Sequence, residues 1–321
     1  MIVTLRDRTH LAAVKRALAR LGQWIASEYD DGGDEVHLVL AAHGTTIEPA
    51  RLAAIPGVAR ATSPTSKHPR VDAHGSAVVV GRVTFRPSGR LIIAGPCAIE
   101  SEARIHALAT ALARAGVTVL RGGAYKPRTS PYAFHGHGAD ALRWLGDAAR
   151  AAGLESVTEV LSERDVDEVA AVASMLQIGS RNMQNFALLR AVGAAERPVL
   201  LKRGASATIE EWLLAAEHLL VAGAPGVVLC ERGVRGFDDS TRNLLDLGAV
   251  ALLARAHGLP VVVDPSHATG RRELVVPLAM AAFAAGAAGV MIEVHDDPGE
   301  ALSDGPQALS IDELEGLIHA P

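Results

Sequence analysis

From about residue 90 onward, short apolar runs alternate with longer stretches in which apolar residues recur at helical spacing. The short runs predict buried strands, and the longer stretches predict helices that cover those strands. Eight strands separated by helices are typical of an α/β fold, the closed (β/α)8 TIM barrel, and their near-even spacing favours it over an open, doubly wound sheet. The predicted strands are Leu91–Ala94, Val117–Leu120, Glu155–Thr158, Met175–Ile178, Val199–Leu201, Gly226–Leu229, Val261–Val263 and Gly289–Ile292. The predicted helices include Arg104–Arg114, Ala139–Ala151, Glu210–Val221, Leu245–His257 and Leu274–Ala285.

The chain before this barrel follows a different pattern. Strands and helices alternate in an order that suggests βαββαβ, which is typical of a small ferredoxin-like α+β domain. A stretch rich in Pro, Ser and His then indicates a linker, and an apolar run after it predicts a hairpin that plugs the barrel floor. The predicted elements of the small domain are Ile2–Leu5, Leu11–Leu21, Glu35–Leu40, Arg51–Ile55 and Gly57–Ala61. The predicted domains are residues 1–64 (ferredoxin-like), 65–89 (linker and hairpin) and 90–321 (barrel).

Composition narrows the class of protein. Apolar residues make up 49% of the chain but aromatic residues only 3%, which predicts a core of Ala, Val and Leu. A net charge of −5 gives no general reason to expect nucleic acid or an anionic membrane as a partner. The sequence holds no apolar run long enough for a membrane span. Two cysteines, Cys97 and Cys230, cannot form a disulfide framework, so we expect a cytoplasmic protein.

Polar and charged residues follow every predicted barrel strand, at the end where (β/α)8 enzymes carry their active sites. Seven of these residues are cations, and gathering that many like charges at one mouth predicts an anionic ligand. Arg203 is expected to pair with an acidic side chain as a structural ion pair. The segment after the second strand also carries glycines and the hydroxyls of Thr129 and Ser130, which predicts a small, multiply anionic substrate. The cations are Arg121, Lys126, Arg128, Arg181, Lys202, Arg203 and Arg232.

A second group at the same mouth is a candidate metal site. Cys97, His267, Glu293 and Asp304 follow the first, seventh and eighth strands, which become neighbours when the barrel closes. One thiolate, one imidazole and two carboxylates suit a divalent first-row metal. From the residues alone a structural role is equally open, with His267 as an orienting core histidine and Cys97 as a small buried residue.

Seven motifs in this region together resemble one enzyme family, the type I (beta-branch) 3-deoxy-D-arabino-heptulosonate 7-phosphate (DAHP) synthases. The resemblance runs in order from about residue 90 to residue 310. Residues 1–64 also resemble the small regulatory domain of one branch of these enzymes, although by pattern and not by motif. The motifs are Gly95-Pro96-Cys97, Lys126-Pro127-Arg128-Thr129-Ser130, Gln177-Ile178-Gly179-Ser180-Arg181-Asn182-Met183-Gln184-Asn185, Leu201-Lys202-Arg203-Gly204, Cys230-Glu231-Arg232-Gly233, Asp264-Pro265-Ser266-His267 and Ile292-Glu293-Val294-His295.

The resemblance implies a transferase that condenses phosphoenolpyruvate with erythrose 4-phosphate in the first step of the shikimate pathway, using one divalent metal ion. Manganese is favoured, and iron, cobalt and zinc are also compatible. The implied metal ligands are Cys97, His267, Glu293 and Asp304, and the implied catalytic residues are Lys126, His267, Cys97 and Glu159. The implied phosphoenolpyruvate contacts are Arg121, Lys126, Ser180, Arg181, Lys202 and Arg232. The implied erythrose 4-phosphate contacts are Lys126, Pro127, Arg128, Thr129 and Ser130.

The resemblance further implies a homo-tetramer or homo-dimer with feedback control by an aromatic amino acid or a pathway intermediate. Related 3-deoxy-D-manno-octulosonate 8-phosphate synthases, which use arabinose 5-phosphate, carry an Ala-Asn-Arg-Ser-Ser-type run in place of Pro127-Arg128-Thr129-Ser130, so erythrose 4-phosphate is favoured here. His135, His137 and the Val234–Phe237 loop depart from the family's usual residues, which leaves open a specialised copy for secondary metabolism. An inactive regulatory barrel is the alternative outside enzymes, but no presumed ligand is missing.

Overall fold

A computed structural model describes residues 1–30, 35–41, 47–63, 66–126, 132 and 134–320. The chain forms two compact units, Met1–Lys67 and His68–Pro321, each with its own hydrophobic core. Among the described residues, no helix is both long enough and apolar enough to cross a membrane.

The first unit is a four-stranded antiparallel sheet with helices in the ferredoxin-like order. Its strands lie side by side in the order β2-β3-β1-β4, and one face buries Val3, Leu5, Val14 and Leu18. Strand β2 was not among the predicted elements. Its elements are β1 (Ile2–Leu5), a 3-10 helix (Arg8–His10), α1 (Leu11–Arg20), β2 (Ile25–Asp30), β3 (Val36–Leu40), α2 (Pro49–Ala53) and β4 (Val58–Thr62).

The second unit contains a closed barrel of eight parallel strands with helices between them, so the predicted TIM barrel is confirmed. Strand β14 closes the barrel against β7, with Gly289 opposite Leu91 and Glu293 opposite Gly95. The strands are β5 (Val78–Val80), β6 (Val83–Phe85), β7 (Leu91–Gly95), β8 (Val119–Arg121), β9 (Glu155–Glu159), β10 (Met175–Ile178), β11 (Val199–Lys202), β12 (Val227–Glu231), β13 (Val261–Val263) and β14 (Gly289–Glu293). The helices are α3 (Pro69–Asp72), α4 (Glu102–Ala115), α5 (Ala139–Ala152), α6 (Val166–Val172), α7 (Phe186–Ala194), α8 (Ile209–Ala222), α9 (Leu247–Arg255), α10 (Pro265–Thr269), α11 (Val275–Ala285) and α12 (Ile311–Ile318).

Local sequence explains where the barrel helices begin and end. Ser101 caps α4 by accepting the backbone N–H of Arg104, and the helix ends at Gly116, whose φ of 97° suits glycine. Helix α8 begins with a capping box formed by Thr208 and Glu211. These caps fix the register of each helix on the barrel, and hence the position of the strand ends that follow.

The β5–β6 hairpin closes the floor of the barrel. Val78, Val80 and Phe85 are buried in one apolar cluster with barrel residues from several strands. The carboxylate of Glu155, at the start of β9, accepts the backbone N–H of Arg82 at 3.1 Å. Because the hairpin covers the ends where the strands begin, the polar residues at the opposite ends form the mouth.

The boundary between the two units falls after Lys67, three residues beyond the predicted domain of residues 1–64. The reason is α3, which lies inside the predicted linker of residues 65–89. Its backbone N–H groups at Arg70 and Val71 donate to the carboxylate of Glu217 on α8, at 3.0 and 2.9 Å. The predicted linker is therefore fastened to the barrel unit from α3 onward.

Candidate active site at the barrel mouth

Four potential metal ligands meet at the mouth of the barrel. Their donor atoms, from Cys97, His267, Glu293 and Asp304, all lie within 4.8 Å of one another. Cys97 Sγ donates to Asp304 Oδ2 at 2.9 Å, and His267 Nε2 lies 3.1 Å from Glu293 Oε1. A thiol, an imidazole and two carboxylates in this arrangement fit a divalent first-row metal ion. The structure thus brings together the four residues that were proposed as ligands from the sequence.

Asp264 orients the imidazole of His267. As the N-cap of α10 it accepts the backbone N–H of His267 at 3.0 Å, and its other oxygen lies 2.8 Å from His267 Nδ1. Lys202 Nζ donates to the same oxygen at 2.6 Å. Burial raises the pKa of Asp264, but His267 and Lys202 outweigh it and hold that pKa well below its usual range. The ionised carboxylate therefore directs Nε2 of His267 toward the cluster.

Cys97 lies between Lys126 and the acidic ligands. Lys126 Nζ donates to Cys97 Sγ at 2.9 Å and to its carbonyl oxygen at 2.7 Å. Burial, aided by Glu293, raises the pKa of the Cys97 thiol to about 12, although Lys126 and Arg121 act in the opposite direction. Without a cation in the cluster the thiol is therefore protonated at neutral pH.

Glu293 is fully buried at the end of β14 and is held from several sides. Arg121 Nη1 lies 3.3 Å from its Oε1, and Gln307 Nε2 donates to its Oε2. Its backbone N–H donates to Ser266 Oγ at 3.1 Å. Burial lowers the pKa of Arg121, but Glu293 and other acidic groups more than offset this and raise it, so the guanidinium stays charged beside the cluster.

Four of the predicted cations divide into two groups by their contacts. Arg121 and Lys202 are buried and Lys126 is partly buried, and all three contact the cluster or its supporting carboxylate. Arg203 forms the structural ion pairs that were expected, at 2.9 Å to Glu231 and 3.0 Å to Asp246. These ion pairs indicate that Arg203 stabilises the structure of the barrel mouth.

Ser180 and Arg181 line a cleft at the ends of β10 and β11. The cleft is about 490 Å³ in volume, and Gly204 and Arg235 also line it. Ser180 Oγ donates to the carbonyl of Arg203 at 2.7 Å, which ties the end of β10 to the end of β11. Guanidinium groups at such a cleft suit a phosphate.

The remaining predicted site residues are only partly described. Glu159 accepts Gln177 Nε2 at 3.2 Å, and Arg232 is partly buried after β12. The predicted sugar-phosphate segment, Pro127, Arg128, Thr129 and Ser130, lies outside the described residues.

Gly123 shows why glycine is needed after β8. A Cβ at this position would lie 2.5 Å from the carbonyl oxygen of Cys97 and 2.6 Å from Cδ of Lys126. The glycine therefore allows Lys126 to reach Cys97. The sequence had suggested a different reason for a glycine here, namely the close approach of a ligand.

Sequence reasoning missed three polar residues that support the cluster: Asp264, Gln307 and Glu100. Asp264 had a readable signal, since it stands three residues before His267 at a strand end and can serve as an N-cap. Gln307 and Glu100 had none, because their partners, Glu293 at the end of β14 and Leu302 in a distant loop, approach them only in the folded chain.

A (β/α)8 barrel whose mouth brings four potential metal ligands together with buried cations defines a class of metal-dependent enzymes that act on small anionic substrates. The sequence model of the DAHP synthetase I family matches residues 86–320, so the chain belongs to that family. It is 51% identical over 227 residues to a phospho-2-dehydro-3-deoxyheptonate aldolase of Thermotoga maritima, covering 71% of this chain and 67% of that protein. A crystal structure of the DAHP synthase from Thermotoga maritima aligns with 99% of this chain and 94% of its own, at 39% identity and a TM-score of 0.76.

A second relative is more distant. The chain is 34% identical over 246 residues to a 2-dehydro-3-deoxyphosphooctonate aldolase of Acidithiobacillus ferrooxidans, covering 71% of this chain and 86% of that protein. The predicted family is thus confirmed, and so is its place among the transferases. The family is metal-dependent, which agrees with the four-ligand cluster.

Proposed function

We propose that this protein is an active DAHP synthase, which condenses phosphoenolpyruvate with erythrose 4-phosphate and releases phosphate in the first step of the shikimate pathway. The observation that carries the proposal is the meeting of the metal-ligand cluster with buried cations at one mouth. Arg121 Nη1 lies 3.3 Å from Glu293, and Lys126 Nζ lies 2.9 Å from Cys97. A barrel that served only regulation would not need both sets of groups.

The proposed cofactor is one divalent ion held by Cys97, His267, Glu293 and Asp304, with manganese favoured and iron, cobalt and zinc compatible. When bound, such an ion polarises the aldehyde oxygen of the sugar phosphate as a Lewis acid. A thiolate ligand needs a reducing environment, which supports the proposal that the protein works in the cytoplasm.

Phosphoenolpyruvate is proposed to bind through its carboxylate and phosphate to six residues that follow strands at the barrel mouth. Arg121 and Lys202 are buried, and the low local dielectric strengthens their attraction for an anion. Arg carries five N–H donors and Lys three, so each can hold its acidic partner and the substrate at once. The six residues are Arg121, Lys126, Ser180, Arg181, Lys202 and Arg232.

The proposed reaction joins C3 of phosphoenolpyruvate to the aldehyde carbon of erythrose 4-phosphate. Lys126 gives a proton to the aldehyde oxygen, and the proposed base that accepts a proton from the water adding at C2 is Glu159, His267 or Lys126. The bond between C2 and the bridging oxygen then breaks. The remaining hydroxyl proton passes to the departing phosphate, which leaves a ketone at C2. Positioning of the two substrates by the cations supplies much of the rate.

Erythrose 4-phosphate is the proposed second substrate, and arabinose 5-phosphate is the alternative. The segment Lys126-Pro127-Arg128-Thr129-Ser130 supports the shorter sugar by its resemblance to DAHP synthases, and its contacts remain a prediction. The higher identity to a DAHP synthase than to an octulosonate enzyme supports the same choice.

Phosphate release tests the proposal directly. Phosphoenolpyruvate is offered with erythrose 4-phosphate or with arabinose 5-phosphate, each in the presence of Mn²⁺ or of EDTA. We expect release only with erythrose 4-phosphate and metal. Release with arabinose 5-phosphate would move the protein to the octulosonate branch, and undiminished release in EDTA would contradict the metal site.

Residues 1–64 are proposed to be a regulatory domain, and the protein is proposed to be a homo-tetramer or homo-dimer. The ferredoxin-like unit has its own core and contributes none of the four potential metal ligands, which supports a role other than catalysis. An aromatic amino acid or a pathway intermediate is the proposed effector.

A further inference from the structure

Glu100 links two loops that are distant in sequence. It stands three residues after Cys97, and its side chain is only 7% exposed. Its Oε1 accepts the backbone N–H of Leu302 at 2.7 Å, across 202 residues of chain. Leu302 in turn stands two residues before Asp304. One carboxylate therefore connects the loop that supplies a thiol ligand with the loop that supplies a carboxylate ligand.

Two further side chains hold the same connection. Arg104 Nη1 donates to Glu100 Oε2 at 2.7 Å, while its other nitrogens reach Asp296 at 3.1 Å and Glu300 at 3.3 Å. His295 is buried and accepts the backbone N–H of Asp297 at Nδ1, and its Nε2 lies 3.3 Å from Glu100 Oε2 without a hydrogen bond between them. Glu100 thus bonds the end of residues 295–302 directly at Leu302, and it reaches Asp296 and Glu300 through Arg104.

Asp304 needs such external support. Its backbone has a φ of 55°, in the left-handed region that non-glycine residues rarely adopt. A conformation of this kind persists only where the surrounding structure imposes it. In this conformation Asp304 Oδ2 lies 2.9 Å from Cys97 Sγ, as the shared metal site requires.

We propose that Glu100 is a positioning residue of the metal centre, which fastens the 295–302 loop so that Asp304 can ligate the ion together with Cys97. The inference rests on the proposed function, because it presupposes that the four-residue cluster binds a metal. Glu100 itself does not touch the substrates or the ion. It acts through the conformation of Asp304.

Glu100→Gln tests this role with little change of shape. The amide keeps an acceptor for Leu302, but it loses the charge and turns an N–H group toward Arg104. We expect the dissociation constant for Co²⁺ to rise about 10- to 100-fold, as is usual for residues that support metal ligands. The probe is Co²⁺ alone, titrated into the metal-free full-length protein and followed by the thiolate-to-cobalt charge-transfer absorbance. Glu102→Gln is the matched control, since this exposed residue lies two positions away in α4.

The Asp304→Asn background separates positioning from a general structural effect. If Glu100 acts through Asp304, Glu100→Gln will weaken Co²⁺ binding little or not at all once Asp304 is an amide. An undiminished loss in that background would overturn the proposal, and so would a Glu100→Gln protein whose Co²⁺ affinity stays within about twofold of the parent. Should Glu100→Gln fail to fold, Arg104→Met decides in its place, because it releases the same loop from a partly exposed position.

Co²⁺ binding by the parent protein distinguishes a failure of this proposal from a failure of the proposed function. If the parent shows no cobalt–thiolate absorbance, the metal site itself is wrong. If the parent binds Co²⁺ and the variants bind equally well, only the role of Glu100 is wrong.

Discussion

Cys97 could be either a structural core residue or a metal ligand, and its contacts favour the second role. It is buried like an ordinary core cysteine, yet its sulfur contacts Lys126 and Asp304 and lies within 4.8 Å of the donor atoms of the other ligands. Cys230, the second cysteine, is buried in the apolar interior of the barrel. The two thiols therefore form a matched pair, one in the polar cluster and one outside it.

Cys97→Ser is expected to lower metal retention and phosphate release by at least about 10-fold, because a hydroxyl is a much poorer ligand than a thiolate for these metals. Cys230→Ala serves as the control and should keep both properties. Metal content after dialysis and the rate of phosphate release measure the effect. Full activity and full metal content in Cys97→Ser would contradict the assignment of Cys97 as a ligand.

Arg203 supports the mouth through ion pairing. Glu231 is fully buried beside it, and burial raises the pKa of Glu231 while Arg203 opposes that rise. Arg203→Met is expected to cost about 3–5 kcal/mol in the free energy of unfolding, because it leaves a buried carboxylate without its partner. Adding Glu231→Gln should recover part of that loss, since the amide can still accept the N–H of Gly233.

Urea unfolding of the single and double variants measures this coupling. Arg197→Met is a suitable control, because Arg197 is exposed and contacts only a backbone carbonyl among its described hydrogen bonds. Equal stability of Arg203→Met and the parent would show that the ion pair contributes nothing to the fold.

At the scale of elements, the barrel strands were predictable because each one is a short, buried, apolar run. Met175–Ile178 and Val261–Val263 match their predicted limits, and four others extend one residue further at the C-terminal end. The remaining two, Val119–Arg121 and Val227–Glu231, differ by one or two residues at both ends. Strand β2 was missed because it is an edge strand with exposed polar positions, and because Tyr29 near its end is exposed. Its place depends on pairing with β3, which the local sequence does not reveal.

In the candidate site, too, some features could be predicted from the local sequence and others depend on tertiary structure. The metal ligands were predictable because each follows a strand whose end could be placed. The contacts of Glu100 with Leu302 and of Gln307 with Glu293 were not, because they join positions whose approach depends on tertiary structure.

The floor hairpin depends on one carboxylate at the start of β9. Burial raises the pKa of Glu155, but hydrogen bonds from Ser174 and Arg82 outweigh it and lower the pKa from its usual 4.5. Because the folded state favours the ionised form, this stabilisation is present above the unfolded pKa and is lost as pH falls through the folded value. The contribution therefore belongs to neutral pH and disappears in acid.

Glu155→Gln is expected to cost about 1 kcal/mol at neutral pH, and the difference from the parent should shrink below about pH 4. Urea midpoints measured across this range give the comparison, with the exposed Glu163→Gln as the control. A difference that stays constant, or grows, in acid would show that the charge of Glu155 does not fasten the hairpin.

At the scale of the whole molecule, the two units bury separate sets of core residues. The first unit buries Val3, Leu5 and Leu18 around its own sheet, while the proposed active site is built entirely from residues of the second unit. Catalysis and the proposed regulation are therefore separable along the chain. Separate cores also predict that residues 68–321 fold without the first unit.

A protein made of residues 68–321 should accordingly retain metal-dependent phosphate release and lose its response to effectors. In the full chain, an aromatic amino acid or a pathway intermediate is expected to change substrate affinity by about 1–3 kcal/mol of coupling free energy, or 5- to 150-fold. Rates measured with phenylalanine, tyrosine, tryptophan, prephenate and chorismate, for both proteins, test this division. If the full chain responds to none of them, the first unit has another role. If the shorter protein responds as strongly as the full chain, the effector site belongs to the barrel, since a ligand can shift an equilibrium only through the part of the protein that it binds.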